Sequence, residues 1–161
     1  MLKNRYLATI VMLLGVVSLA VGGAFIGIGI QKNNYLVDEL RSQQVTLGLT
    51  SEQVAAGELV DSAAEAQVAA DTLASHLSNI AATYNDLMAA NPSGRYDPTN
   101  TDNLSYTAGL NMENSLNMVV MGFGVIQVTE ATGATLGAIG LAILLVGIVL
   151  YKRDRKISES V

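Results

Sequence analysis

An uncharged apolar run at residues 133–151 constrains the fold of this chain more than any other feature, because it ends in four bases: Lys152, Arg153, Arg155 and Lys156. A helix rises about 1.5 Å per residue, so a run of this length crosses roughly 30 Å, the thickness of the hydrocarbon core of a bilayer. A second run without charge covers residues 7–30. We therefore predict two transmembrane helices, at residues 7–30 and 132–151.

A cleaved signal peptide is the alternative for the first run, because the small residues Ser18 and Ala20 are typical of a cleavage site. The run continues to residue 30. Signal peptides ordinarily have an apolar core of only about 7 to 15 residues. The length of the run favours an uncleaved anchor.

The charges are distributed unevenly. Residues 31–131 contain three bases and twelve acids, a net charge of −9, whereas bases flank both runs on their outer sides. By the positive-inside rule, residues 1–6 and the basic tail 152–161 are cytoplasmic, and residues 31–131 form an extracytoplasmic domain. Such an acidic domain repels phosphate backbones, so nucleic acid is not an expected partner. The chain has no cysteine, which excludes disulfides and thiolate chemistry.

Glycines recur in both apolar runs, in part with small-xxx-small spacing. Small residues let helix backbones approach closely in lipid, where leaving the lipid gives no hydrophobic gain. We expect five glycines to pack the two helices against each other or against a partner: Gly23, Gly27, Gly133, Gly137 and Gly140. Gly147 is expected to lie off this ridge. The alternative is that the glycines reflect only the general frequency of glycine in membrane helices.

Apolar residues of the central domain repeat at alternating steps of three and four from residue 59 to residue 87. This spacing predicts a bundle or coiled-coil helix over about residues 51–90, begun by a capping box of Thr50 and Gln53. Its larger members should form the core of the bundle: Leu59, Leu73, Leu77, Ile80, Tyr84 and Leu87.

Residues 91–102 hold both prolines and form the predicted loop. A hairpin with one central helix needs one more pass of the chain. Either this loop makes the pass, since a dozen residues extend up to about 40 Å, or the heptad segment breaks near Gly57 and makes it. A final helix starts at residue 103, and Met118, Met121 and Phe123 are expected to bury against the heptad helix.

Few residues suggest chemistry. His76 is the only histidine, so we expect no metal site, no catalytic residue and no cofactor. Glu130 lies at the outer mouth of the last span, where an ionisable group is a candidate for function. Asn103 begins a glycosylation sequon, Asn-Leu-Ser.

The C-terminal part of the chain carries three motifs: Gly94-Arg-Tyr-Asp97, Tyr106-Thr-Ala108, and Ser115-Leu-Asn-Met-Val-Val-Met-Gly-Phe-Gly-Val125. Over roughly the last 70 residues the chain resembles a family of small two-span bacterial membrane proteins, often labelled aromatic ring-opening dioxygenases. The chain departs from the family in lacking its usual cysteines and in placing residues 127–132 inside the apolar run. The resemblance implies architecture and no activity, because the family has no settled function. The dioxygenase label does not fit this chain, because a non-haem iron site takes two histidines and a carboxylate and the chain has one histidine.

The sequence thus predicts an all-α membrane protein, in which two transmembrane helices flank an extracytoplasmic antiparallel helical bundle. The expected function is non-enzymatic: the bundle acts as a scaffold or interaction element, for example in an accessory subunit of a membrane complex. The alternative is an extracytoplasmic sensor or small-ligand-binding module that works through a partner. The expected partners are the lipid bilayer and either another membrane protein or further copies of this chain.

Overall fold

The computed structural model describes the backbone of residues 2–159 and the side chains of residues 6–153. In this part of the chain the fold is all-helical, with 80% of the protein in helices and no β-strand. The helices are α1 (Leu2–Ser42), α2 (Ser51–Ala55), α3 (Ala63–Ile80), α4 (Tyr84–Ala89) and α5 (Thr101–Glu159). The predicted all-α class is confirmed.

The chain divides into two compact units. The first, the helical pair, contains the chain up to Asn33 and from Val125 onward; the second, the central module, is Asn34–Gly124. Two helical segments, Tyr6–Ser42 and Thr101–Arg153, are long and apolar enough to cross a membrane.

In the helical pair, the two helices run antiparallel. Gly15 of α1 meets Leu144 of α5, Gly22 meets Gly137, and Gly29 meets Glu130. Each step of seven residues toward the C-terminus of α1 therefore matches a step of seven toward the N-terminus of α5. This constant register brings the same face of each helix into the contact along its length.

In the central module, α3 runs antiparallel to α5. The first half of α3 shares a core cluster with Leu116 and Phe123, and its second half shares another with Tyr106. The chain enters α3 through an extended segment, in which the Val60 amide donates to the Val45 carbonyl at 2.9 Å. Val60 is fully buried there. The module therefore has a conventional apolar core between three helical segments.

The segment predicted as one heptad helix over residues 51–90 is three helices, so that prediction was wrong. Gly57 breaks the helix with φ of +79°, a conformation that favours glycine. Ser62 then caps α3 and Thr83 caps α4, because each hydroxyl accepts from the backbone amide three residues on. The break near Gly57 is present, but it makes no extra pass, because α3 runs antiparallel to α5 and leads directly toward the loop before α5.

Other helix ends follow local chemistry. The capping box of Thr50 and Gln53 is confirmed. α1 ends at Ser42, and Gln44 follows it with a positive φ of +51°. α5 begins at Thr101, two residues before the predicted start, because the Asn100 side chain accepts from the amides of residues 102 and 103.

Candidate functional site

A seam of glycines joins the two helices of the helical pair. We call it the glycine seam, and it comprises Gly15, Gly22 and Gly29 of α1 with Gly133, Gly140 and Gly147 of α5, all of them buried. Within each helix the three glycines are seven residues apart. Ala8, one further step of seven along α1, is only 1% exposed and continues the pattern.

The backbones touch along this seam. A Cβ atom on Gly22 would lie 2.6 Å from the carbonyl oxygen of Gly133, and one on Gly140 would lie 2.8 Å from the amide nitrogen of Leu19. At Gly147 a Cβ would lie 2.9 Å from the Met12 nitrogen. These atoms are backbone and cannot rotate away, so the contact requires glycine at these positions.

The seam differs from the one predicted. Gly133 and Gly140 belong to it, and Gly137 takes part through its own backbone, because a Cβ on Gly22 would lie 2.7 Å from the Gly137 nitrogen. Gly23 and Gly27 are exposed with nothing within 4 Å of a Cβ, so they do not pack α1 against α5, and their packing against a partner stays a prediction. Gly147, expected off the ridge, is part of the seam. The prediction followed four-residue spacing, whereas the contact follows seven-residue spacing.

Two polar side chains accompany the seam. The Ser18 hydroxyl donates to the Leu136 carbonyl oxygen at 2.9 Å, a hydrogen bond between the two helices. The half-buried Glu130 lays its side chain against Gly29. Glycine at residue 29 therefore makes room for the side chain of Glu130.

Large apolar side chains of the helical pair point away from the seam. On α1, Leu13 and Leu14 are each 58% exposed, and on α5, Leu145 is 54% and Val149 is 64% exposed. The pair thus places its smallest residues inside and its largest apolar residues outside. A water-soluble helical pair has the reverse arrangement, with an apolar stripe facing the core.

The central module is packed in the conventional sense. One cluster joins Leu77, Leu87 and Tyr106, and the other gathers small residues of α3 with larger side chains of α1 and α5: Leu40, Val60, Ala66, Ala69, Ala70, Leu116 and Phe123. Val60 was missed in the sequence because its neighbour Leu59 holds the heptad position. Only the tight loop before α3, set by Gly57, places Val60 inward.

The predicted core residues have mixed positions. Leu77 and Leu87 are buried, and Leu59 and Leu73 are half-buried. Ile80 is 39% and Tyr84 47% exposed, which corrects their assignment to the core. The reason is local. Ile80 is the last residue of α3, where the helix ends, and Tyr84 begins a separate helix, α4, and so does not keep the phase of the heptad.

Leu77 depends on a glycine of α5. A Cβ on Gly109 would lie 2.6 Å from Leu77 Cδ2 and 3.6 Å from Leu73 Cδ1. Gly109 thus leaves space in the core for the Leu77 side chain. In the helical pair, by contrast, glycines leave space for the backbone of the neighbouring helix.

An apolar groove of about 480 Å³ lies in the central module, between the end of α1 and the N-terminal part of α5. It is lined by Glu39, Leu40, Gln43, Val45, Met112, Ser115, Leu116 and Val119. In the last turn of α1, Arg41 donates to one oxygen of Asp61, Oδ2, through Nε at 3.0 Å and Nη2 at 2.7 Å. The Arg41 side chain is 57% and the Asp61 side chain 34% exposed, so this ion pair contributes little to stability.

The loop before α5 is organised by Asp97. The Thr99 hydroxyl and the Thr99 amide both donate to this carboxylate, at 2.6 and 2.8 Å, and these bonds lower the pKa of Asp97. The Asp97 carbonyl oxygen in turn accepts from Asn103 Nδ2 at 3.3 Å. Asn103 is 0% exposed, so the side-chain nitrogen of the sequon is inside the fold.

Two methionines of α5 lie on the surface. Met118 and Met121 are each 71% exposed, whereas Phe123 is 6% exposed. The prediction that all three bury against the heptad helix is therefore right only for Phe123. His76 is exposed, and in the described residues no three His, Asp or Glu side chains come together in a group that could hold a metal ion.

No protein family, curated protein or solved structure matches this chain. The resemblance to small two-span bacterial membrane proteins stays a prediction. The function is therefore inferred from the geometry of the two units.

Proposed function

We propose that this chain is a two-span membrane protein, in which α1 and α5 cross the bilayer and the central module lies outside it as a scaffold or interaction element. Both termini are cytoplasmic in this proposal. The role is non-enzymatic and is that of an accessory subunit, which binds other membrane proteins through the central module.

The observation that carries the proposal is the inverted packing of the helical pair. In water, burial of large apolar side chains drives helices together, at about 25 cal/mol per Å² of apolar surface. In lipid that gain is absent, and helices associate through close backbone contact at small residues and through hydrogen bonds. The glycine seam and the Ser18–Leu136 bond fit the second situation, with the large apolar residues left for the lipid chains.

The extent of burial supports the same conclusion. In the most apolar stretch of each long helical segment, 11% of residues are buried for Tyr6–Ser42 and 17% for Thr101–Arg153. A core helix of a water-soluble protein is mostly buried. The orientation follows from charge, because bases flank both apolar runs at the termini while the central module carries two bases and eleven acids.

Topology is tested with reporter fusions to the full chain. Fusions at residue 3 and residue 158 should both report a cytoplasmic location, and a reporter inserted at Ser93 should report an external one. Ser93 is exposed in the loop before α5, so an insertion there leaves the helices intact. A cytoplasmic signal from Ser93 would contradict the hairpin.

The scaffold role is tested by purification from native membranes in a mild detergent, followed by mass spectrometry. A stoichiometric membrane protein that is lost when the central module is replaced by an unrelated soluble domain supports the proposal. If that partner stays with a chain that keeps only α1 and α5, the spans and not the module make the contact.

The groove of the central module favours a second candidate function, the binding of a small apolar ligand. Its volume of about 480 Å³ is in the range of small-molecule sites, and its apolar residues alternate with Glu39, Gln43 and Ser115. In that case Val119→Trp should abolish binding of an apolar fluorescent probe, whereas Ala64→Trp on the exposed face of α3 should not.

A further inference from the structure

An uncharged, exposed face runs along α5 in the central module. We call it the methionine face, and its members are Leu104, Asn111, Asn114, Met118 and Met121, all exposed. They recur at steps of seven, three, four and three, which are the a and d positions of a heptad. Thr107, at the remaining position of this pattern, is half-buried.

The two methionines of this face lie at the height of charged residues of α1. Within the central module a Cβ on Gly122 would lie 3.0 Å from Leu36, and the groove brings Glu39 and Gln43 of α1 beside Val119. Met118 and Met121 are therefore at the same height along the module as the part of α1 that carries exposed Asp38, Glu39 and Arg41. A level with three ionic side chains is aqueous, so lipid does not explain two methionines that are 71% exposed.

Charge distinguishes the methionine face from the rest of the module. The central module has two bases and eleven acids, a net charge of −9, and it therefore repels further copies of itself over most of its surface. α5 contributes only Asp102 and Glu113 to this charge, and neither is on the methionine face. Two copies can approach each other here without bringing carboxylates together.

We propose that the methionine face pairs with the same face of a second copy, so that the two α5 helices form a parallel coiled coil outside the membrane. The heptad spacing is that of a helix that pairs with another helix of the same type. Asn111 falls at an a position and Asn114 at a d position, and polar residues at such positions specify register and oligomeric state at a cost in stability. Met118 and Met121 suit the apolar contacts, because the flexible methionine side chain adapts to a facing helix.

The parallel orientation rests on the proposed function, because two copies inserted in the same membrane with the same topology present α5 in the same direction. The pairing itself does not depend on that function. The a and d spacing of the methionine face continues in the sequence of α5 at Val125 and Val128, which are 66% and 67% exposed.

The test uses cysteine crosslinking of the full chain in membranes, which is unambiguous because the sequence has no cysteine of its own. Asn111→Cys, Met118→Cys and Met121→Cys should each give a disulfide-linked dimer on mild oxidation. Met112→Cys, one residue off the face, and Ala64→Cys, exposed on α3, are the controls and should stay largely monomeric. Self-crosslinking at both Asn111 and Met118 requires a parallel pair, because an antiparallel pair brings only one such position together with itself.

A second measurement does not depend on disulfides. Met118→Asp places a carboxylate on each side of the proposed contact and should halve the protein mass of the detergent-solubilised particle, with the thermal stability of the helices unchanged. Ala64→Asp adds the same charge elsewhere and should leave the mass at that of a dimer. The proposal would be overturned by equal crosslinking of face and control positions, or by a particle mass that Met118→Asp leaves unchanged. It would also be overturned if Met118→Asp releases a different protein from the particle instead of a second copy of this chain.

Failure of the proposed function is separable from failure of this inference. If membrane flotation and the Ser93 reporter place the chain elsewhere, the two-span proposal fails whatever α5 does. If those experiments succeed and the methionine-face cysteines do not crosslink, the membrane proposal stands and the self-pairing is wrong.

Discussion

The helical pair and the central module use glycine and leucine in opposite ways, although α5 belongs to both. In the module α5 buries large side chains, Leu116 and Phe123, and Gly109 makes room for Leu77. In the pair it buries Gly133 and Gly140 and leaves residues such as Val149 outside. The two regions therefore differ in what an added or removed side chain should do.

The largest effect is expected from removal of volume in the central module. Leu77→Ala should lower the free energy of unfolding by about 2 to 5 kcal/mol, because Leu77 is 5% exposed and its loss leaves a cavity. Denaturant unfolding in detergent, followed by circular dichroism, measures this. Ile80→Ala, three residues on and 39% exposed, is the matched control and should cost far less. Equal losses would mean that the core does not end where α3 ends.

In the helical pair, addition of volume should be the damaging change. Gly22→Leu should destabilise the pair by about 1 to 3 kcal/mol or more, because the new side chain meets the backbone of Gly133 and Gly137. Gly23→Leu adds the same atoms one residue on, where nothing lies within 4 Å, and should be tolerated. Unfolding in mixed micelles compares the two variants. Similar stability for both would mean that the helices do not touch at Gly22.

Two glycines of α5 should differ in how far a leucine weakens the helical pair. Gly147→Leu should weaken the pair more than Gly137→Leu, because a Cβ at Gly147 meets Met12 whereas one at Gly137 meets nothing within 4 Å. The yield of a disulfide between cysteines placed on α1 and α5 measures the pairing at matched expression. A larger loss of pairing for Gly137→Leu than for Gly147→Leu would instead favour a contact ridge with four-residue spacing, the spacing between Gly133 and Gly137.

A smaller effect is expected at Ser18. Ser18→Ala removes the hydrogen bond to the Leu136 carbonyl and should cost about 0.6 kcal/mol, the average for bonds between membrane helices. Thr135→Ala is the control, because the Thr135 hydroxyl donates within its own helix, to Ala131 at 2.8 Å. A loss no larger than that of Thr135→Ala would mean that the bond contributes nothing between the helices.

The smallest change is expected at Asp97, in the loop of the central module. Hydrogen bonds from Thr99 lower the pKa of Asp97, the side-chain bond more than the backbone bond. Because the folded-state pKa is the lower one, this contribution to stability is present above the unfolded pKa and is lost as the pH falls through the folded pKa. Thr99→Val should therefore raise the pKa of Asp97 toward its ordinary value in an NMR titration. Thr101→Val, two residues on, should leave it unchanged.

The sequence predicts what depends on composition and on local chemistry. The all-α class, the two long apolar helices and the capping box at Thr50 and Gln53 all follow from hydropathy or from side chains near one another in the chain. Tertiary contact is different. The spacing from residue 59 to residue 87 is present, but caps at Ser62 and Thr83 divide it. Ile80 therefore lies at the end of α3, and Tyr84 starts a new helix out of phase with the core.

The choice among glycines could not be made from one helix alone. Gly23 and Gly27 have the small-xxx-small spacing, but which face of α1 meets α5 is decided by both helices together. A usable signal was present, because Gly15, Gly22 and Gly29 repeat every seven residues and so do Gly133, Gly140 and Gly147. Matching the periods of the two runs would have identified the seam. Similarly, helical phase places Met118 and Phe123 on different faces of α5.

The seven-residue period of the glycine seam also determines handedness. A straight α-helix has 3.6 residues per turn, so positions seven apart drift by about 20° around its axis with each repeat. Contact that persists from Gly15 to Gly29 therefore requires the helices to wind around each other in a left-handed supercoil. The small-xxx-small motif favours the opposite, right-handed crossing. A measured crossing angle of positive sign in the helical pair would thus establish the period of the seam without a single mutation.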